Sequence, residues 1–180
     1  MSSELDDKKI LMVVAQDNFR DEEYLEPRDI LEDAGVSITV ASNSTKEAHG
    51  ALGAKIKPDI SIKDAIMAEF DGLVIAGGGG SREHLWPNKD LQRLVKDAFD
   101  QDKLVAAICV SPVVLARAKI LEDRDCTVFK DKECIAELEK YGGLYTDKDV
   151  VVDGNIITAR DPKAAEKFGH AIVEQLAAED

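Results

Sequence analysis

Cys109 is the residue in this sequence whose surroundings are best suited to covalent chemistry. It follows a short apolar run, residues 104–108, and a segment with a helical pattern, residues 111–121, begins almost directly after it. A side chain at a sharp turn from a buried strand into a helix projects above the sheet, near the first free N–H groups of that helix. These groups and the helix dipole favour a thiolate over a thiol. Ala107 and Ser111 are small enough for the turn to close. The pattern predicts a nucleophile elbow, the alternative being an inert, buried cysteine.

Two further strand ends carry residues that could assist a thiol. The first apolar strand leads to Glu22 and Glu23, and the run 72–76 ends in four glycines, residues 77–80. Because ligands bind at the carboxyl ends of parallel strands, we expect these ends and Cys109 to converge on one pocket. Consecutive glycines allow close approach of the backbone and can present N–H groups to an oxyanion. The same glycines would also suit a flexible turn, and glutamates are favoured at a helix start by the dipole alone.

Predicted strands and helices, which would position such a pocket, alternate along the chain. Alternating strands and helices predict an α/β fold, with a mostly parallel sheet covered by helices on both faces. Predicted strands are residues 9–15, 36–41, 72–76, 104–109 and 127–129, with a hairpin of 150–152 and 155–158; predicted helices are 21–34, 62–69, 90–102, 111–121, 132–141 and 164–177. Residues 43–60 are expected to be a loop or short hairpin. Residues 1–7 are predicted to be a disordered acidic tail that precedes a single domain, residues 8–180.

The composition argues against several classes of function. A formal net charge of −13 repels phosphates, which argues against nucleic-acid and anionic-membrane partners. No apolar run approaches the ~20 residues of a membrane span, and the N-terminus lacks the apolar region of a signal peptide. We therefore expect a cytoplasmic protein with free thiols. The three cysteines and three histidines show no metal-ligand spacing, so neither a metal nor another cofactor is expected.

Several blocks taken together resemble the ThiJ/PfpI superfamily, which includes the parkinsonism-associated protein deglycase and the PfpI-type intracellular proteases. The blocks are Glu23 four residues before Pro27, the apolar strand 72–76 running into Gly77-Gly78, the elbow 106–109 followed by Pro112, and residues 153–160 before Pro162. The resemblance covers nearly the whole chain after the tail. It implies a flavodoxin-like three-layer sandwich and a homodimer or larger homo-oligomer.

The resemblance also implies roles for individual residues. Cys109 would be the nucleophile and redox-sensitive thiol. Glu23 would be a protonated carboxyl that donates a hydrogen bond to the sulfur, because a carboxyl beside a thiolate is pushed toward its neutral form. The sequence leaves Glu22 as the alternative, and the spacing to Pro27 favours Glu23. The anion hole would be formed by Gly77 and Gly78, with help from the amide of Val110.

No histidine is placed by the sequence to act as a base. Protease-like members of the family have histidine directly after the cysteine, where this chain has Val110, and a second family histidine falls near Phe129. His84 follows the glycine run and is a candidate for the pocket or for a subunit contact. Trp86 is a candidate for the wall of the pocket or for an interface, and Arg160 is a further candidate for the pocket.

Three functions fit this pattern. The first is an enzyme for small reactive carbonyls, glyoxalase- or deglycase-like, in which Cys109 attacks an aldehyde such as methylglyoxal. Glu23 would move a proton between carbons, and water would release a 2-hydroxy acid. The second is a PfpI-type intracellular cysteine peptidase or amidase acting on peptides, an alternative that Val110 weakens because the leaving amine needs a proton donor. The third is a non-enzymatic sensor of oxidative stress in which Cys109 is oxidised.

Overall fold

Strands and helices alternate through residues 5–178, the part of the chain that the computed structural model describes. The strands are β1 (Lys9–Val13), β2 (Asp17–Phe19), β3 (Ser37–Ser42), β4 (Ala48–Gly50), β5 (Lys55–Ile56), β6 (Ile60–Ser61), β7 (Gly72–Ile75), β8 (Leu104–Ile108), β9 (Asp125–Cys126), β10 (Leu144–Tyr145), β11 (Val150–Asp153) and β12 (Ile156–Ala159). The helices are α1 (Asp21–Asp33), α2 (Gly80–His84), α3 (Lys89–Asp100), α4 (Pro112–Arg117), α5 (Lys132–Lys140) and α6 (Ala165–Ala178). Single turns of 3-10 helix occupy Ile62–Asp64, Met67–Glu69 and Pro162–Ala164.

A seven-stranded sheet forms the centre of the molecule, in the order β11-β12-β8-β7-β1-β3-β6. Neighbouring strands are parallel from β12 to β6, and only β11 runs antiparallel, as the first strand of a hairpin with β12. The order of the five strands from β3 to β12 is that of flavodoxin-like folds. All residues of β7, β8 and β12 are buried, as expected for strands covered on both faces. The predicted fold class is confirmed.

Helices pack against the sheet in two groups. Helices α1 and α6 contact each other along their length, whereas α3 packs against β7 and β8 and contacts α4. Right-handed crossovers place these groups on opposite faces of a parallel sheet. Gly169 of α6 allows the close approach of α1, since a Cβ at this position would lie 3.1 Å from the Cα of Pro27. The packing of α1 matters for the site because this helix carries Glu23.

The carboxyl ends of three adjacent strands define the edge where chemistry is expected. Strands β1, β7 and β8 are neighbours and run in the same direction. The chain that leaves them passes through residues 14–20, through the glycines 77–80 and through Cys109. The sequence-based expectation that these three segments converge is therefore confirmed by the topology.

Several predicted elements differ in extent from those observed. Helix α4 ends at Arg117 rather than at residue 121, because Lys119 adopts a left-handed conformation with φ of 67°. The short strand expected at 127–129 is found instead at β9. The helix expected over 62–69 consists of two 3-10 turns, and the loop or hairpin of 43–60 contains the antiparallel pair β4 and β5.

The N-terminal boundary of the packed chain also differs from the prediction. Leu5 is only 3% exposed and belongs to the hydrophobic core, and its carbonyl accepts a hydrogen bond from the backbone N–H of Lys8. The packed chain therefore includes residues that we assigned to a tail of residues 1–7. Residues 1–4 of that tail lie outside the described residues.

Candidate active site

Cys109 occupies the strained turn that the sequence predicts. Its φ of 67° lies in the left-handed region, which L-residues other than asparagine and aspartate rarely adopt. Two backbone hydrogen bonds fix this conformation. The N–H of Cys109 donates to the carbonyl of Ala159 at the end of β12 (2.9 Å), and its carbonyl accepts from the N–H of Phe129 (2.6 Å). The thiol is thus held at a set position above the sheet, with 7% of the residue exposed.

Buried hydrogen bonds connect the elbow to the end of β7. The hydroxyl of Ser111 donates to the carbonyl of Ala76 (2.7 Å) and lies 3.0 Å from the hydroxyl of Ser81. Both serines are fully buried. The small residue that the elbow needs after the cysteine therefore also ties two strand ends together.

Trp86 packs against the elbow and is hydrogen-bonded to it. Its indole N–H donates to the carbonyl of Val110 (2.8 Å), and the side chain is almost completely buried. The guanidinium carbons of Arg82 and Arg117 lie 5.0 and 5.2 Å from its ring centroid, within the range of cation–π contacts. Trp86 thereby fixes the peptide unit between Val110 and Ser111, one residue beyond the cysteine.

The glycine run is tightly packed against the segment that follows β1, and it is not a loose turn. Gly78 has a φ of +114°, and a Cβ at this position would lie 2.3 Å from the backbone nitrogen of Arg20. A Cβ on Gly80 would lie 1.8 Å from the carbonyl oxygen of Asp17. Side chains at these positions would push the two segments apart, so the glycines are required for the approach.

Glu23 is buried beside Cys109. No part of the residue is exposed. A Cβ on Gly77 would lie 2.4 Å from Glu23 Oε1 and 2.7 Å from Cys109 Cβ, so both side chains occupy the space that this glycine leaves open. Within residues 5–178 neither carboxyl oxygen has a hydrogen-bond partner of regular geometry. The thiol of Cys109 is the side chain with the largest effect on the pKa of Glu23. Glu22 instead points outward and pairs with Arg20.

Burial raises the pKa of Glu23 to about 8, against an opposing effect of its interaction with Cys109. Burial also raises the pKa of the Cys109 thiol, and a charged Glu23 raises it further, whereas the backbone N–H groups of Gly78 and Val110 lower it. The sequence predicted a favoured thiolate from these N–H donors, the helix dipole and a neutral Glu23, without the cost of burying the sulfur, and the raised pKa of the thiol contradicts that prediction. The two groups titrate as a pair. Because Glu23 is mostly neutral at pH 7, its repulsion of the thiolate is largely absent there, and its proton can stabilise the sulfur charge.

A cavity of about 320 Å³ opens onto the sulfur. Its lining consists of Asn18, Arg20, Ala51, Gly78, Gly79, Arg82, Cys109, Val110, Phe129 and Pro162. A second cavity, lined by Arg20, Glu22, Glu26, Phe129, Asp161, Pro162 and Lys163, shares three of these residues and lies next to it. The first cavity has the size of a small-molecule site.

None of the three predicted pocket residues, His84, Trp86 and Arg160, lines this cavity. His84 is not among the residues lining the cavity, because it ends the short helix α2, where its carbonyl accepts a hydrogen bond from Asn43 and its ring lies near Glu83. Arg160 is also absent from the lining. It forms ion pairs with Asp147, Asp149 and Asp161. Trp86 contacts the elbow rather than the cavity.

Arg20, Arg82 and Asn18 line the cavity but were not singled out from the sequence. Arg20 and Asn18 belong to the segment that directly follows β1, and Arg82 comes two residues after the glycine run. Their positions close to the carboxyl ends of strands are the sequence feature that could have identified them as pocket residues. Among residues 5–178, no group of three or more His, Cys, Asp and Glu side chains could hold a metal ion. No helix in the same range has the length and apolar character to cross a membrane.

A model of the DJ-1/PfpI family matches residues 8–175 of the chain. The chain belongs to the DJ-1/PfpI family. An "Uncharacterized protein" of Methanocaldococcus jannaschii is 45% identical to this family member over 168 residues, 93% of this chain and 82% of that protein. The "Putative cysteine protease YraA" of Bacillus subtilis is 35% identical over 162 residues, 89% of this chain and 94% of that protein.

Solved structures of DJ-1/PfpI proteins share the fold. A ThiJ/PfpI domain protein from Brachyspira murdochii is 35% identical with a TM-score of 0.90, covering 94% of this chain and 96% of that one. DJ-1beta from Drosophila melanogaster is 31% identical with a TM-score of 0.83, covering 94% of this chain and 90% of that one. The resemblance inferred from the sequence blocks is thereby confirmed.

Replacing Gly78 by alanine should disrupt the site more than replacing another glycine of similar conformation. Gly53 has a φ of +105° and open space around it, so Gly53→Ala introduces backbone strain without a clash. Gly78→Ala adds a contact with Arg20 that the backbone must move to relieve. We expect a decrease in the free energy of unfolding of ~1–3 kcal/mol beyond that of Gly53→Ala, measured by urea denaturation. Equal losses in both variants would contradict the packing described here.

The raised pKa of Glu23 predicts a pH-dependent stability. The folded chain keeps the proton up to about pH 8, whereas the unfolded chain releases it near 4.5, so the stability contribution is complete below the lower value and is lost as pH rises through the higher one. In thermal melts from pH 5 to pH 9, the wild type should lose Tm relative to Glu23→Gln. Glu22→Gln is the matched control, because the pKa of Glu22 is lowered and its contribution does not decline over this range. Parallel profiles for the wild type and Glu23→Gln would exclude a buried neutral carboxyl.

Proposed function

We propose that the chain is a cysteine-dependent enzyme acting on small reactive carbonyl compounds, of the glyoxalase or deglycase type. The observation that carries this proposal is Cys109 in the lining of a cavity of about 320 Å³, with the carboxyl group of Glu23 buried beside it. The pair supplies a nucleophile and one group that can hold a proton near neutral pH. These are the minimal groups for converting a 2-oxo aldehyde into a 2-hydroxy acid.

The first step of the proposed reaction is attack of the Cys109 sulfur on the aldehyde carbon of methylglyoxal. The thiol first loses its proton to solvent. A carbon–sulfur bond then forms, the carbonyl π electrons move to oxygen, and protonation of that oxygen gives a hemithioacetal. The N–H groups of Gly78 and Val110 lie beside the sulfur. They favour the negative charge of the attacking sulfur and of the oxygen that forms next to it. Glu23 in its neutral form can supply the proton.

The second step moves a proton between carbons. Glu23, now ionised, removes the proton from the former aldehyde carbon and returns one to the neighbouring carbon, while the ketone becomes a hydroxyl. The product is a thioester of Cys109 with a 2-hydroxy acid. Water then cleaves the carbon–sulfur bond: its hydroxyl goes to the acyl carbon and a proton goes to sulfur, which restores the thiol. The proton that the 2-hydroxy acid loses on becoming lactate returns to Glu23. Deglycase chemistry on glycated amines would use the same two groups.

A peptidase function is supported by the name of the Bacillus subtilis relative, but less well by the site. No histidine lines the cavity within residues 5–178, and a peptidase needs a proton donor for the leaving amine. Phe129 and Val110 occupy the positions where a base would be expected from the family resemblance. We therefore keep this function as the weaker candidate.

We place this activity in the cytoplasm, in a homodimer or larger homo-oligomer. The three cysteines are free thiols in the structure, which is usual for proteins of reducing compartments. The family resemblance supports the oligomer.

Turnover of methylglyoxal to lactate by the purified protein tests the enzyme proposal. Cys109→Ser should reduce kcat by at least about a hundredfold because it removes the nucleophile, and Glu23→Gln by roughly a hundredfold because it removes the proton carrier. Cys126→Ser, which changes a buried cysteine elsewhere, is the control and should retain activity. Full turnover in Cys109→Ser would refute the mechanism.

A role in sensing oxidants is the second candidate, favoured by the surroundings of the sulfur. Two backbone N–H groups and a neutral carboxyl can hydrogen-bond the oxygens of an oxidised Cys109. In a titration with hydrogen peroxide followed by peptide mass spectrometry, Cys109 should be oxidised before the fully buried Cys126 and Cys134. Glu23→Gln should change the extent to which the sulfinic form accumulates. Simultaneous oxidation of all three cysteines would exclude a sensor.

A further inference from the structure

Within residues 5–178, the cavity above Cys109 is lined by positive but not by negative side chains. Apart from the thiol, the ionisable residues in its lining are Arg20 and Arg82. This is notable in a chain whose formal net charge is −13. The acidic side chains nearby, Glu22, Glu26 and Asp161, line the adjoining cavity instead. The space directly above the sulfur is therefore suited to an anion.

Arg20 has hydrogen-bonding capacity left for a ligand. Its Nε lies 2.7 Å from Glu22 Oε1, and its Nη2 lies 3.1 Å from Glu22 Oε2, so one edge of the guanidinium is occupied. The remaining terminal nitrogen, Nη1, makes no hydrogen bond within residues 5–178. The guanidinium is close enough to the site to interact electrostatically with Cys109 and Glu23.

Unlike Arg20, which pairs with Glu22 alone, Arg82 pairs with two carboxylates. Its two terminal nitrogens donate to Glu133 and Asp131, and its guanidinium stacks on Trp86. It contributes positive charge to the wall and fixes the loop before α5. Of the two arginines, Arg20 is therefore the one whose charge is balanced by a single carboxylate and whose Nη1 group has no protein partner within residues 5–178.

A neutral donor lies on the same wall. Asn18 lines the cavity and adopts a φ of 59°, a left-handed conformation that asparagine tolerates better than most residues. Its Nδ2 lies 2.8 Å from the position that a Cβ of Gly79 would occupy, so the absence of a side chain at residue 79 leaves room for the carboxamide. Asn18 and Arg20 thus both face the cavity from the segment that follows β1.

We propose that Arg20 binds a carboxylate group of the carbonyl compound that reacts with Cys109. The substrate would then be a short aldehyde or ketone that carries a carboxylate a few bonds from its carbonyl carbon. A carboxylate is small enough for a cavity of this volume and accepts hydrogen bonds from guanidinium and carboxamide groups. This inference rests on the proposed reactivity of Cys109 and specifies which carbonyl compounds the site selects.

Two alkylating agents of similar size but different charge test this proposal without requiring turnover. Iodoacetate carries a carboxylate where iodoacetamide carries a neutral amide. The ratio of their rate constants at Cys109, measured by peptide mass spectrometry at one pH, cancels the ionisation of the thiol. We expect the iodoacetate-to-iodoacetamide ratio to fall at least about fivefold in Arg20→Gln, the size of one partly exposed charge-assisted contact.

Two pairs of variants separate anion binding from general charge effects. Arg20→Gln leaves Glu22 unpaired, so the double variant Arg20→Gln/Glu22→Gln is compared with Glu22→Gln alone, and the same fall in the ratio is expected. Arg93 pairs with Asp90 on the exposed face of α3, so Arg93→Gln and Arg93→Gln/Asp90→Asn match the charge changes away from the site. They should leave the ratio unchanged.

The possible failures are distinguishable. If Cys109 reacts with both reagents and the ratio is the same in Glu22→Gln and Arg20→Gln/Glu22→Gln, the carboxylate site is refuted and the proposed enzyme is not. If the ratio falls equally in the Arg93 variants, the effect is one of overall charge and the carboxylate site is again refuted. If Cys109 reacts with neither reagent, both the site and the proposed function are refuted.

Discussion

The carboxyl group of Glu23 is held out of water against the thiol of Cys109, and much of the local structure serves to keep it there. An ionised carboxylate without a partner in such a place would be costly, so the group retains its proton instead. Gly77 provides the space for both side chains. Pro27 has no N–H to donate to the carbonyl of Glu23, so the regular helical hydrogen bond at this position is missing. Helix α1 is nevertheless kept in place by its contact with α6.

The left-handed conformation of Cys109 is the second constraint at this edge of the sheet. Such a conformation persists only where surrounding contacts determine it. Here the contacts come from three directions: the end of β12, the backbone of residue 129, and the buried serines that join the elbow to β7. A fourth contact comes from the glycines after β7, because their lack of side chains lets the segment after β1 pack closely against them. Local strain at the thiol is thus offset by packing that extends over four segments of the chain.

The elements that can be predicted from the sequence are those with a strong hydrophobic pattern. Strands β1, β7 and β8 are short apolar runs, and their adjacency follows from the rules of parallel sheets, so the convergence of Glu23, the glycines and Cys109 could be foreseen. Strand β2 could not, because its residues are Asp-Asn-Phe and it is defined by pairing with β4. The position of His84 depends on helix α2, which has only five residues and is too short to be predicted from hydrophobic periodicity. The burial of the sulfur depends on the packing of distant segments around it, which the sequence pattern does not show, and the prediction of a lowered pKa was therefore wrong.

Trp86 is the single tryptophan of the chain, and its indole N–H donates to the carbonyl of Val110, the residue that follows the nucleophile. Indole fluorescence responds to hydrogen bonding and to nearby charge, and both are supplied here by groups of the site: the Val110 carbonyl and the guanidinium of Arg82. All tryptophan emission of the protein therefore originates next to the elbow. Intrinsic tryptophan fluorescence can therefore be used to follow modification of the sulfur or occupation of the cavity without an added label.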